Sequence, residues 1–84
     1  MVIESARIDE RGGAKFAQVT IRNVGQSPRR IQYRIDWFDA DGVNVTPLGT
    51  GFRSMDLGAG EARDVQASAA SRSEDFRITI RSGS

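Results

Sequence analysis

Eighty-four residues with twelve basic side chains, eleven acidic ones, no cysteine and no histidine describe one small domain of nearly balanced charge. The net charge of +1 supplies no global field for nucleic acid or an anionic membrane surface. Without cysteine there is no disulfide and no thiolate metal site, and without histidine there is no usual zinc ligand set and no imidazole base for a serine nucleophile. No apolar run approaches the roughly 20 residues that a membrane-crossing helix needs.

In chain order the pattern is extended throughout. Val2 to Ile8 places Val2, Ala6 and Ile8 on one parity and Ile3 on the other, a mixed phase that predicts an edge strand or a bulge. Arg11-Gly12-Gly13 is a turn. Lys15 to Asn23 alternates cleanly, with Ala17, Val19 and Ile21 on the core side. Asn23 to Pro28 is a loop, since proline has no place in a central strand. Arg30 to Phe38 is the clearest strand: Ile31, Tyr33, Ile35 and Trp37 face one way, and Arg30, Gln32, Arg34 and Asp36 the other.

Val43 to Thr46 reads as a short strand, and Pro47 to Gly51 as an irregular segment where the chain would switch sheets. Phe52 to Leu57 is extended, Gly58 to Glu61 a turn, and Ala62 to Ser68 a further strand. Ala69 to Glu74 is a polar link with room for a short helical turn. Asp75 to Arg81 ends the series, with Phe76, Ile78 and Ile80 inward and Arg77, Thr79 and Arg81 outward. Residues 82–84 read as a flexible tail, so that residues 1–84 form one domain.

Short strands with turn signals every 8–12 residues predict an all-β protein, an immunoglobulin-like antiparallel β-sandwich of six or seven short strands. Trp37 on the apolar side of the third strand suits that fold. The clean alternation of the second, third and last strands places these three in one sheet.

The acids in Asp39-Ala40-Asp41-Gly42 imitate a calcium loop. Aligning Gly42 with the sixth loop position, however, puts Trp37 and Leu48 where oxygen ligands belong. A turn accounts for the run better: aspartate bonds nearby main-chain N–H groups and glycine takes the left-handed position. Asp39/Asp41 and Glu74/Asp75 are solvated pairs rather than an acid–base couple. Lys15, the single lysine, has no marked serine partner. No cofactor motif is present, since Gly49-Thr50-Gly51 lacks the rest of a phosphate cradle.

Two surfaces are candidates for recognition. Arg22, Arg30, Arg34, Arg77 and Arg81 share the outward parity of the expected sheet. With Asp36 and Phe38 they define an interaction surface, Arg34/Asp36/Phe38/Arg77/Arg81, while Phe16 adds a second outward aromatic. The alternative is a groove near residues 49–53 in which Phe52 and Arg53 hold a small anionic or glycan ligand. An exposed edge strand also offers a route to weak self-association.

The stretches "FAQVTIRNVGQSPRRIQYRIDWFDADGVNV" and "PLGTGFRSMDLGAGE" resemble the YcfL-like bacterial lipoproteins, small envelope proteins of uncharacterised molecular function. The likeness spans about Ala14 to Arg81 and is best from Gln32 to Gly42; Phe52 stands where the family pattern suggests tryptophan. The resemblance implies a periplasmic domain tethered to the outer membrane through a lipid anchor outside this sequence, with no catalytic residues to transfer. The sequence therefore predicts a non-enzymatic envelope module that binds an envelope protein, without a cofactor and without nucleic acid.

Overall fold

The computed structural model describes residues 1–69 and 72–83. Six strands are present: β1 (Val2–Arg11), β2 (Ala14–Arg22), β3 (Arg29–Phe38), β4 (Arg53–Leu57), β5 (Ala62–Ser68) and β6 (Asp75–Ser82). They form two antiparallel three-stranded sheets, ordered β1-β2-β5 and β4-β3-β6. The chain changes sheet between β2 and β3, between β4 and β5, and between β5 and β6, which is the strand order of an immunoglobulin-like sandwich.

The alternation in the sequence is what fills the space between the sheets. Ala17, Val19 and Ile21 of β2 and Val65 of β5 meet Ile31, Ile35 and Trp37 of β3 and Met55 and Leu57 of β4. Phe76, Ile78 and Ile80 of β6 and a half-buried Tyr33 pack against that cluster. Trp37 is 1% exposed, and its ring meets that of Phe76 at 5.5 Å between centroids, tilted by 52°. β1 is the mostly exposed edge of its sheet, and its register shifts between Ile3 and Ser5, as the mixed phase there predicts.

The expected grouping of the second, third and last strands is overturned. β3 and β6 are neighbours, but β2 belongs to the opposite sheet. Alternation assigns each residue a face of its own strand and says nothing about which strand lies beside it. The crossing is made by the loop after β2, and it is pinned by Asn23, which is fully buried. The Asn23 side-chain amide donates to the carbonyls of Ser27 (2.9 Å), Leu57 (3.2 Å) and Gly58 (3.2 Å), while its Oδ1 accepts from Gly25 N–H (3.0 Å). Its main chain pairs with Glu61 O and Gly60 N. One asparagine thus ties together two of the three places where the chain leaves one sheet for the other.

The segment 47–51 does not switch sheets. Val45 N–H donates to Trp37 O (2.8 Å) and Trp37 N–H to Thr46 Oγ1 (2.9 Å), so the chain stays beside β3 and returns along the same edge as β4. Within Val43 to Thr46 only an isolated bridge forms, between Asn44 and Phe38. The switch lies at Gly58–Glu61, where Glu61 Oε1 accepts from Gly58 N–H (2.7 Å). That bond, followed by the ion pair with Arg63, holds the Glu61 carboxyl below its ordinary value.

Asp39-Ala40-Asp41-Gly42 is a turn, as expected. Asp39 Oδ1 accepts from the N–H groups of Asp41 and Val43 (2.9 Å each), and Gly42 has φ of 80°. The helical turn expected in the 69–74 link falls on residues 70 and 71, outside the described residues. At the C-terminal end the expected tail is shorter than 82–84. Ser82 belongs to β6, and the buried Gly83 donates its N–H to Arg30 O (3.0 Å).

Candidate functional site

The outward side chains of sheet β4-β3-β6 form one flat face. In register across it stand Asp36 and Arg77, Arg34 and Thr79, and Gln32 and Arg81. Arg34, Asp36, Phe38, Arg77 and Arg81, the five residues of the expected interaction surface, are all brought together here. Arg22 is not: it lies on β2 in the other sheet, bonded to Glu4 and to Gly60 O. Phe16 is likewise on β2. Arg30 shares the face but is engaged, its Nε 2.9 Å from Asp56 Oδ1. The hydrogen bond from Arg30 is the main cause that lowers the Asp56 carboxyl below its ordinary value.

The remaining guanidinium groups divide by partner. Arg34 Nε meets Asp36 Oδ1 at 2.9 Å, a pair within one strand rather than across strands. Asp36 also accepts from Thr46 Oγ1 (3.2 Å), which anchors the segment after the turn to the face. Arg77 instead lies over the ring of Phe38, 5.5 Å from its centroid, and Arg81 over the ring of Phe52 at 3.6 Å. Arg81 Nε also donates to Gln32 Oε1 (2.7 Å), which holds the guanidinium flat over β3. Each stacked pair contributes about 0.5–1 kcal/mol at an exposed site. Their lack of an anion matters more: among the described residues neither cation has a carboxylate partner.

Phe52 and Arg53, the residues of the expected groove, border one depression with residues 48–51, on opposite parities of the chain. Consecutive residues of an extended chain point to opposite faces. Phe52 lies under Arg81 on the outer face, while Arg53 shares the parity of the buried Met55 and Leu57 and stands in register with Tyr33. Around residues 48–53 there is only an open depression. A better-formed cleft of about 330 Å³ opens beside it, between the two sheets, where β4 stops short of the end of β3. Tyr33, Trp37, Pro47 and Arg53 line it from one sheet, and Gln66 and Ser68 from the other. Trp37 contributes wall rather than platform, since 1% of it is exposed.

Lys15 does meet a serine. Its Nζ is 3.2 Å from the carbonyl of Ser73 and lies near Glu10 (3.8 Å) and Glu74 (3.9 Å). Ser73 is 3% exposed, and its hydroxyl has no hydrogen-bond partner among the described residues. The ammonium is bonded to the carbonyl and the hydroxyl is closed to solvent, so the pair is not arranged as nucleophile and base. Sequence reasoning missed Asn23, Ser73 and the cleft residues of β5. For the cleft a signal existed: the parity of Arg53 alone separates it from Phe52.

The sequence model for proteins of unknown function named DUF1425 matches residues 1–82. The chain belongs to the DUF1425 family. The crystal structure of a DUF1425 family member from Shewanella sp. pv-4 superposes with a TM-score of 0.88 at 21% identity, covering 96% of this chain and 76% of that one. Campylobacter jejuni cj0090 gives a TM-score of 0.79 at 20% identity, over 95% of this chain and 84% of its own. At these identities the likeness establishes the sandwich and carries no function from one DUF1425 fold to another. No curated protein matches the chain.

Proposed function

We propose that this DUF1425 domain is a non-enzymatic recognition module of the bacterial cell envelope that binds another protein through the outer face of sheet β4-β3-β6. The observation that carries the reading is the pair of stacked cations, Arg77 on Phe38 and Arg81 on Phe52, on one flat face. Guanidinium groups held flat over aromatic rings lose little freedom on binding and accept carboxylates in a bidentate manner. Aromatic and arginine side chains together are also typical of interface centres. Resemblance to the YcfL-like lipoproteins supports the envelope setting and a lipid tether in the full-length protein.

Affinity capture from envelope extracts tests the surface, comparing wild type with Arg77→Glu/Arg81→Glu. Arg34 is left unchanged, because it is already tied to Asp36. Loss of the captured partner with retained folding is the expected result; an unchanged partner set sinks the proposal. Fractionation and fatty-acid labelling of the native protein test the envelope setting separately. A second reading, a small anionic ligand, is favoured by Arg53 in the cleft, where no acidic side chain lines the wall.

A further inference from the structure

The cleft has features that a simple anion site leaves unused. β3 runs from Arg29 to Phe38, yet β4 pairs with it only as far as Tyr33, and the segment after the turn covers Trp37. Along a strand the main-chain groups of alternate residues face the same edge. Trp37 bonds through its N–H and C=O on the β4 edge, and Arg30 accepts from Gly83 on the β6 edge. Ile35 therefore turns its N–H and C=O towards the β4 edge and the cleft, where no hydrogen-bond partner meets them among the described residues. Ala69 N–H donates to Lys15 O and Asn23 N–H to Glu61 O, so odd-numbered residues along β5 face β2. Gln66 and Ser68 then direct their main-chain groups to the free edge of that sheet, at the rim of the same cleft. Arg53 projects into it with no ion-pair partner among the described residues.

We propose that the cleft is the side-chain pocket of a strand-addition site: an extended segment of a partner protein pairs with the main chain of Gln66 and Ser68. The segment then drops one carboxylate-bearing side chain into the cleft, against Arg53 and the Ile35 N–H. Main-chain pairing supplies affinity in this mode and the pocket supplies specificity. A cleft of about 330 Å³ suits one such side chain; among the described residues that line it none is acidic, Arg34 is paired with Asp36, and Arg53 selects acid over base. The site is distinct from the stacked-arginine face and does not depend on it.

The test uses the ¹⁵N-labelled protein and three capped pentapeptides, Thr-Val-Xaa-Val-Thr with Asp, Ala or Lys at the centre. The Asp peptide should shift, and slow the hydrogen exchange of, the amides of Ile35, Gln66 and Ser68, whereas the Lys peptide should not. Arg53→Glu, at an exposed position, should weaken the Asp peptide by about tenfold or more and turn the preference towards Lys. Gln66→Pro removes an N–H that the β2 ladder does not use, and should abolish the shifts that the Asp peptide produces. Arg77→Glu/Arg81→Glu should change none of this. The proposal is overturned if no peptide perturbs those amides, or if Asp and Lys peptides act alike. It is equally overturned if acetate alone reproduces the shifts, or if they map to the Arg77/Arg81 face.

Discussion

Asn23→Ala is the most informative single change for the fold. The side chain is fully buried, and its amide serves three carbonyl oxygens, those of Ser27, Leu57 and Gly58, at 2.9–3.2 Å. Alanine removes one of two bonds to the enclosed Leu57 carbonyl, which also faces Arg29 in the β3–β4 ladder, and one of two to Gly58 O, which Glu61 N–H also reaches; the bond to Ser27 O and the acceptor of Gly25 N–H are lost as well. A hydrogen bond contributes about 0.5–1.5 kcal/mol net. With four bonds lost and the part-exposed groups recovering part of theirs from water, the expected penalty is ~2–4 kcal/mol. An 84-residue domain has a total stability of about 4–13 kcal/mol, so this is a large share of it. Urea unfolding followed by far-UV circular dichroism measures the penalty. Asn23→Asp, which keeps the shape and the acceptor but has no N–H donors, should lose at least as much at neutral pH. Midpoints within error of wild type for both variants would refute the claim that this residue pins the sheet crossings.

Trp37→Ala should cost ~3–5 kcal/mol, since it empties the centre of the core and removes the Phe76 contact; an unchanged urea midpoint would contradict the core assignment. Glu61 has a carboxyl lowered by the Gly58 N–H and then by Arg63, from an ordinary value of 4.5. Its contribution is present above that value and is lost as pH falls through the lower folded one. Glu61→Gln should therefore lower Tm at pH 7, with the gap to wild type closing as the pH falls below 4.5; a constant gap would be contrary. Asp39→Ala should lower stability by about 1 kcal/mol through loss of two turn bonds. Millimolar calcium should leave the wild-type Tm unchanged, and a calcium-dependent rise would restore the metal reading of that turn.

Within each strand, much of the fold is legible in the sequence because side-chain direction is a local property. The period of two follows from backbone geometry, so the inward faces of Ala17/Val19/Ile21 and Ile31/Ile35/Trp37 can be read without knowing any neighbour. The same local rule gathers Arg34, Asp36 and Phe38 on one side, and the turn chemistry of Asp39 and Gly42 is equally local. It also sets Phe52 and Arg53 on opposite parities, so that of the two only Arg53 reaches the cleft between the sheets.

Which strands lie side by side is a different kind of quantity. β2 and β3 alternate equally well, and either could border the other; their assignment to opposite sheets depends on contacts far apart in the chain, such as Asn23 with Leu57 and Gly58. The stacking of Arg81 on Phe52 needs β6 to lie beside β3 and the 47–52 segment to return along the far edge. The cleft exists only because β4 ends before β3 does while β5 continues past it in the other sheet. Composition and period thus determined a β-sandwich, its core residues and an arginine-bearing outer face. Long-range hydrogen bonding and packing alone decided the sheet partners, the aromatic beneath each cation, and where main-chain groups were left free to bind.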